Sequence, residues 1–78
     1  MTFRKVEVEA TFTSDGWPVP SVLLWEGDLL HILETGRRWK AEDGIHLLAR
    51  VLDGRVFELH TNGVLWWASV VSEPPHTA

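Results

Sequence analysis

Cysteine is missing from this 78-residue chain, which excludes disulfide staples, cysteine-ligated zinc and a cysteine nucleophile together. A domain this small buries only about 60% of the surface its unfolded chain exposes. Its stability must therefore come from aromatic burial or self-association. Tyrosine is missing too, but five tryptophans and three phenylalanines are present. Each such ring can bury on the order of 150–250 Å², so a few of them build a small core. Basic residues are the minority, seven against eleven acidic ones, for a formal net charge of -4. Non-specific attraction to nucleic acid or to an anionic membrane is not expected from that balance. No run approaches the roughly 18 apolar residues of a membrane span, and the opening MTFRKVEVEA lacks the apolar stretch of a signal peptide. A cytoplasmic protein is expected.

Catalytic signatures are also lacking. There is no G-x-S-x-G elbow, phosphate-binding loop or glycine-rich dinucleotide fingerprint. Ser14, Ser21, Ser69 and Ser72 have no adjacent histidine and carboxylate to activate them. Glu7 and Glu9 stand two apart on one side of a predicted strand, the pattern of a solvated face. An enzyme is not expected, and no cofactor is implied.

What is present is β-strand patterning. In TFRKVEVEATFT, Val6, Val8, Ala10 and Phe12 alternate with Lys5, Glu7, Glu9 and Thr11, as in a half-buried strand. Ser14-Asp15-Gly16, Pro18 and Pro20 break that run, and SVLLWE follows as a short strand. Gly27-Asp28 reads as a turn into a further strand, LLHILE. A helix through 29–40 with Asp28 as its N-cap is the alternative, opposed by Gly36 and by the lack of one apolar stripe. A polar loop, TGRRWKAEDG, leads to a meander of IHLLARVL, RVFELHT and VLWWASVV. Its turns, Asp53-Gly54 and Asn62-Gly63, are strong two-residue hairpin signals. About six antiparallel strands in one short chain predict a small, SH3-like β-barrel over residues 1–71, with a disordered tail at 72–78. Leu23 with Trp25, Leu30 with Ile32, and Phe57 with Leu59 are expected to face inward, with Val6, Val8, Ala10 and Phe12. Of the paired tryptophans, Trp66 is expected inside and Trp67 outside.

The order of landmarks resembles a group of small bacterial domains of unknown function. These are a VEV first strand, DGxPxP at 15–20, a W-x-G corner at Trp25-Glu26-Gly27, a loop tryptophan at Trp39, DGRVFEL at 53–59 and G-x-x-W at 63–66. Members of that group also occur near the C-terminus of Y-family DNA polymerase-like proteins of translesion synthesis. The resemblance implies an accessory role linked to DNA. The matching positions are turn glycines and large apolar residues, and the strands here carry leucine and histidine where that group often has tyrosine and arginine.

Three clusters are candidates for function. Outward Trp17, Leu48, Leu52, Trp67 and Val71 suggest a protein interface, because strand 45–52 is nearly apolar on both sides and needs a second layer, expected from a homodimer partner or another protein. Arg37, Arg38, Trp39 and Lys40 carry the nucleic-acid alternative, three cations around one stacking ring; the competing role for Trp39 is a plug at one end of the barrel. His46 and His60 on neighbouring strands, with Glu58 on the same face, are of metal-ligand type, but scattered ligands without a local motif assign no metal. The chain is thus read as a non-catalytic, self-associating interaction module.

Overall fold

Six antiparallel strands close into one barrel in the computed structural model, which describes residues 2–72. In chain order they are β1 (Arg4–Phe12), β2 (Pro18–Trp25), β3 (Asp28–Ala41), β4 (Gly44–Val51), β5 (Val56–Thr61) and β6 (Trp66–Ser72). No helix forms among the described residues, so the helical alternative for 29–40 falls away. The expected tail lies outside the described residues, save for Ser72, which ends β6. Each strand pairs with the next, and β1 returns to β6 through a short seam, Arg4–Ala68, Lys5–Trp67 and Val6–Trp66.

Alternation sorts the side chains as a half-buried sheet requires. Leu23, Trp25, Leu47, Ala49, Val51, Phe57, Leu59, Trp66 and Ala68 form the buried core, and Val6, Val8, Ala10, Leu30, Ile32 and Val70 pack against it. Trp25 meets Phe57 edge-on, ring centroids 5.0 Å apart. Such a pair contributes about 0.5–1.5 kcal/mol beyond the area it buries. Trp66 is 8% exposed and part of the core, while Trp67 points outward. Phe12 departs from expectation at 48% exposed. It forms the last pair of the β1–β2 ribbon, opposite Pro18, and packs outside the core cluster.

The turns correct the reading from sequence. The two-residue turn with both central residues at positive φ is Glu26-Gly27, at 49° and 86°, joining Trp25 to Asp28. That is one position before the expected Gly27-Asp28. At Asn62-Gly63 the loop is wider: Thr61 pairs with Trp66, and Asn62 Oδ1 accepts hydrogen bonds from the backbone N–H groups of Val64 and Leu65. At Asp53-Gly54 the carboxylate of Asp53 likewise accepts from the N–H and Nε of Arg55. In both loops a short acceptor side chain fastens the turn, so only the glycine takes positive φ.

A larger correction concerns residues 35–44. The expected polar loop is strand as far as Ala41, and a two-residue turn, Glu42-Asp43, leads into β4. Register shifts between Ile32 and Glu34 and between Thr35 and Arg38 absorb the irregular stretch around Gly36. The charges there mark exposure on a long strand, which polarity alone does not distinguish from a loop.

Candidate functional site

Four rings stack across the outer surface of β3, β4, β5 and β6. The register places Trp39 opposite His46, His46 opposite His60, and His60 opposite Trp67. Their ring centroids are 5.4, 4.3 and 4.8 Å apart with interplanar angles of 14°, 6° and 23°. The Arg37 guanidinium covers the free side of Trp39 at 5.1 Å. Phe3 lies edge-on over both histidines at 6.0 and 6.1 Å. The result is a small second core outside the barrel, in which His46 and His60 are 8% and 9% exposed. The layer expected from a partner over the outer face of β4 is thus supplied at His46 by the chain itself.

Two carboxylates face this stack. Glu58 Oε2 lies 2.8 Å from His46 Nδ1, and Asp43 Oδ1 lies 2.9 Å from His46 Nε2. An ionised carboxylate only accepts, so both bonds together require His46 to donate from both nitrogens, as imidazolium. Burial, the largest single influence, pulls the His46 pKa down, but Asp43 and Glu58 together outweigh it and hold it above the ordinary histidine value. The same bond from His46 lowers the Asp43 carboxyl. His60 Nε2 donates to the Asp43 backbone carbonyl at 2.8 Å. Every ring of the stack is thereby tied by pairing or hydrogen bonding to the β3–β4 turn or to a neighbouring strand.

Asp43, His46 and His60 bring one ligand atom each within 4.8 Å of one another, close enough to be weighed as a metal site. The ring geometry opposes it. An imidazole binds a metal along a lone pair in its own plane, and these planes are parallel to within 6° and stacked. The two lone pairs cannot converge on one ion unless a ring leaves the stack between the two tryptophans. The two Nε2 atoms converge instead on Asp43, one on its carboxylate and one on its backbone carbonyl.

The basic residues are placed differently from expectation. Trp39 joins the ring stack and does not plug the barrel. Arg38 and Lys40 project to the other side of β3, over the face of Trp17 at 4.3 and 5.2 Å. Nearby Asp15 is held below the usual carboxylate range, chiefly by its hydrogen bond from Thr13 and in small part by Arg38 and Lys40. The structure therefore brings together Trp17, expected at a protein interface, and two residues expected to bind nucleic acid.

Of the remaining interface residues, Trp67 is half-buried against His60, Leu48 is half-buried on the outer side of β4, and Val71 is exposed on β6. Leu52 is 67% exposed just after β4, its N–H bonded to the carbonyl of His31. That bond places it beside a surface the sequence reading passed over, the outer face of β2 and β3. Two registered rows cross this face: Glu7–Leu24–Leu29, and Glu9–Val22–His31 with Leu52 beyond. Leu29 is 69% exposed, and Leu33, next along the strand, 59%. The signal was available: if Leu30 and Ile32 point inward, Leu29 and Leu33 must point out.

Fold and site together define a small closed antiparallel barrel with a histidine–tryptophan outer layer on one side and an apolar outer face on another. Set against protein-family models, curated proteins and solved structures, the chain matches none of them.

Proposed function

We propose that this chain is a non-catalytic protein-binding module that docks another polypeptide on the outer face of β2 and β3. One observation carries the reading: Leu29, Leu33 and Leu52, at 69%, 59% and 67% exposed, share the outer face of β2 and β3 with half-buried Val22 and Leu24, with His31 between Val22 and Leu52. Contiguous exposed apolar surface of that kind marks an interaction site on a small soluble domain, whereas leucines scattered singly do not. Two shallow grooves, of about 400 and 200 Å³, meet on this face at Glu7 and Leu24. The best-organised polar cluster, around His46, has its donors and acceptors paired internally, which leaves little for substrate chemistry. The nucleic-acid alternative gains no support, because Arg37, Arg38 and Lys40 already lie over the protein's own tryptophans.

The test is site-specific photocrosslinking in cells that carry the protein. A photoreactive side chain at position 29, 33 or 52 should give one discrete intermolecular adduct, with a second copy or with another protein. The same side chain at Glu42, in the β3–β4 turn, or at exposed Val71 on β6 should give none. Absence of adducts at all three leucine positions, or equal labelling at the controls, would refute the reading.

A further inference from the structure

Resting on that docking face, we infer that its partner is a basic amphipathic segment, whose apolar side chains seat on Leu24, Leu29 and Leu52 while adjacent Lys or Arg side chains reach Glu7 and Glu9. The two glutamates open the two rows of the face, in register with Leu24 and Val22, so any chain covering the leucines also covers them. Both are exposed, and neither carboxylate has a salt bridge or hydrogen bond among the described residues. Arg4 and Arg50 are engaged elsewhere, with Glu26 and Glu34 at 3.0 Å each, and Lys5, beside Glu7 on the same side of β1, makes no salt bridge with it, so the two carboxylates outnumber the one cation on their row.

Covering the leucines removes water from Glu7 and Glu9. An ion that loses water without gaining a partner opposes binding, and a cation on the incoming chain removes that penalty. A second copy of this chain supplies the cation poorly. A two-fold axis lying in the interface across the strands sets Glu7 and Glu9 against themselves. An axis along the strands sets them toward the β3–β4 side, where Arg50 is already held by Glu34. Acidic segments and nucleic acid are disfavoured by the same two charges and by the net charge of -4.

The probe is a fluorescein-labelled helical peptide of about 14 residues, built of Leu and Lys at amphipathic spacing, against a Leu and Glu peptide of the same pattern. Anisotropy titrations use the full chain, with circular dichroism confirming that each variant folds. The Leu/Lys peptide should bind, more weakly at high salt, and the Leu/Glu peptide should not. Leu29→Ser should weaken binding about tenfold or more, and Glu7→Gln with Glu9→Gln about fivefold, as two partly exposed ion pairs would. Glu42→Gln alters the charge away from the face and should leave affinity within about twofold. If Leu29→Ser weakens binding while the glutamate variants do not, or both peptides bind alike, the charge selection is wrong and the docking face stands. If Glu42→Gln weakens binding as much as Glu7→Gln, attraction is diffuse and the inference is overturned. If no peptide binds and the chain sediments as a dimer that Leu29→Ser dissociates, the occupant is a second copy; the inference fails and the docking face stands. If no peptide binds and the chain is monomeric at all concentrations, both fail.

Discussion

Replacing His46 by alanine removes the centre of the outer ring stack, and its cost should depend on pH. The bond from His46 Nδ1 to Glu58 is 2.8 Å long between side chains only 11% and 18% exposed. A hydrogen bond involving a charged partner in such a setting contributes about 1.5–3 kcal/mol. Loss of the ring contacts to Trp39 and His60 adds about 1 kcal/mol; the link to exposed Asp43 is left out of the sum. His46→Ala should therefore lose about 3 kcal/mol near pH 5.5, or about 3 M of urea midpoint at an m-value of about 1 kcal/mol/M. The sign of the pH dependence follows from the raised His46 pKa. The stabilisation is complete below the unfolded value of about 6.5 and is lost as pH rises through the folded value. Asp43, with its lowered pKa, contributes above its unfolded value and loses that contribution as pH falls through its folded one. The difference between wild type and His46→Ala should thus peak between about pH 4 and 6.5 and shrink toward pH 9. Urea unfolding followed by tryptophan fluorescence measures it. A difference that is independent of pH, or that grows as pH rises, would refute the imidazolium assignment.

Other perturbations have definite outcomes. Gly44→Ala should cost at least twice what Gly27→Ala costs by chemical denaturation, because a Cβ at Gly44, with φ +130°, meets the Thr61 carbonyl oxygen, whereas one at Gly27 meets nothing within 4 Å; the backbone term alone is about 1–2 kcal/mol. Leu23→Ala, at a fully buried site, should lose about 2–5 kcal/mol in the same assay. Arg50→Ala breaks an ion pair whose side chains are more than half exposed and should change stability by no more than about 0.5 kcal/mol. In native-state hydrogen exchange, the three-pair seam between β1 and β6 should open before the β4–β5 ladder, which has twice as many registered pairs.

The barrel was legible because its strands announce themselves. Alternation in β1 and the glycine-marked turns of the meander specify pairing almost locally, and the inward side of each strand follows from a period of two. The turns were harder, since Asn62 and Asp53 act as acceptors to backbone N–H groups two and three residues on, which widens loops that read as two-residue turns. Residues 35–41 read as a loop because charge density mimics one, although past the irregularity at Gly36 they are strand, with Arg37 and Trp39 on one side of β3 and Arg38 and Lys40 on the other. His46, His60 and Glu58 could be placed on one face, but the stack could not. It depends on the register of four strands and on Asp43, whose side chain returns from a turn three residues away. The leucine face is encoded in the same alternation that defines the core, but single exposed leucines are common on any surface, and only the register of β1, β2 and β3 assembles them. Three of the tryptophans, Trp17, Trp39 and Trp67, are covered by the chain's own cations and histidines.

The central claim is that partners dock on β2 and β3. Backbone amide NMR during titration with the Leu/Lys peptide tests it most directly. Shift changes should concentrate at Glu7 and Glu9, Val22 to Leu24, Leu29 to Leu33 and Leu52, and leave the Trp39–His46–His60–Trp67 stack and the Trp17 corner unmoved. Changes centred on that stack or that corner, with the β2–β3 face silent, would contradict the account.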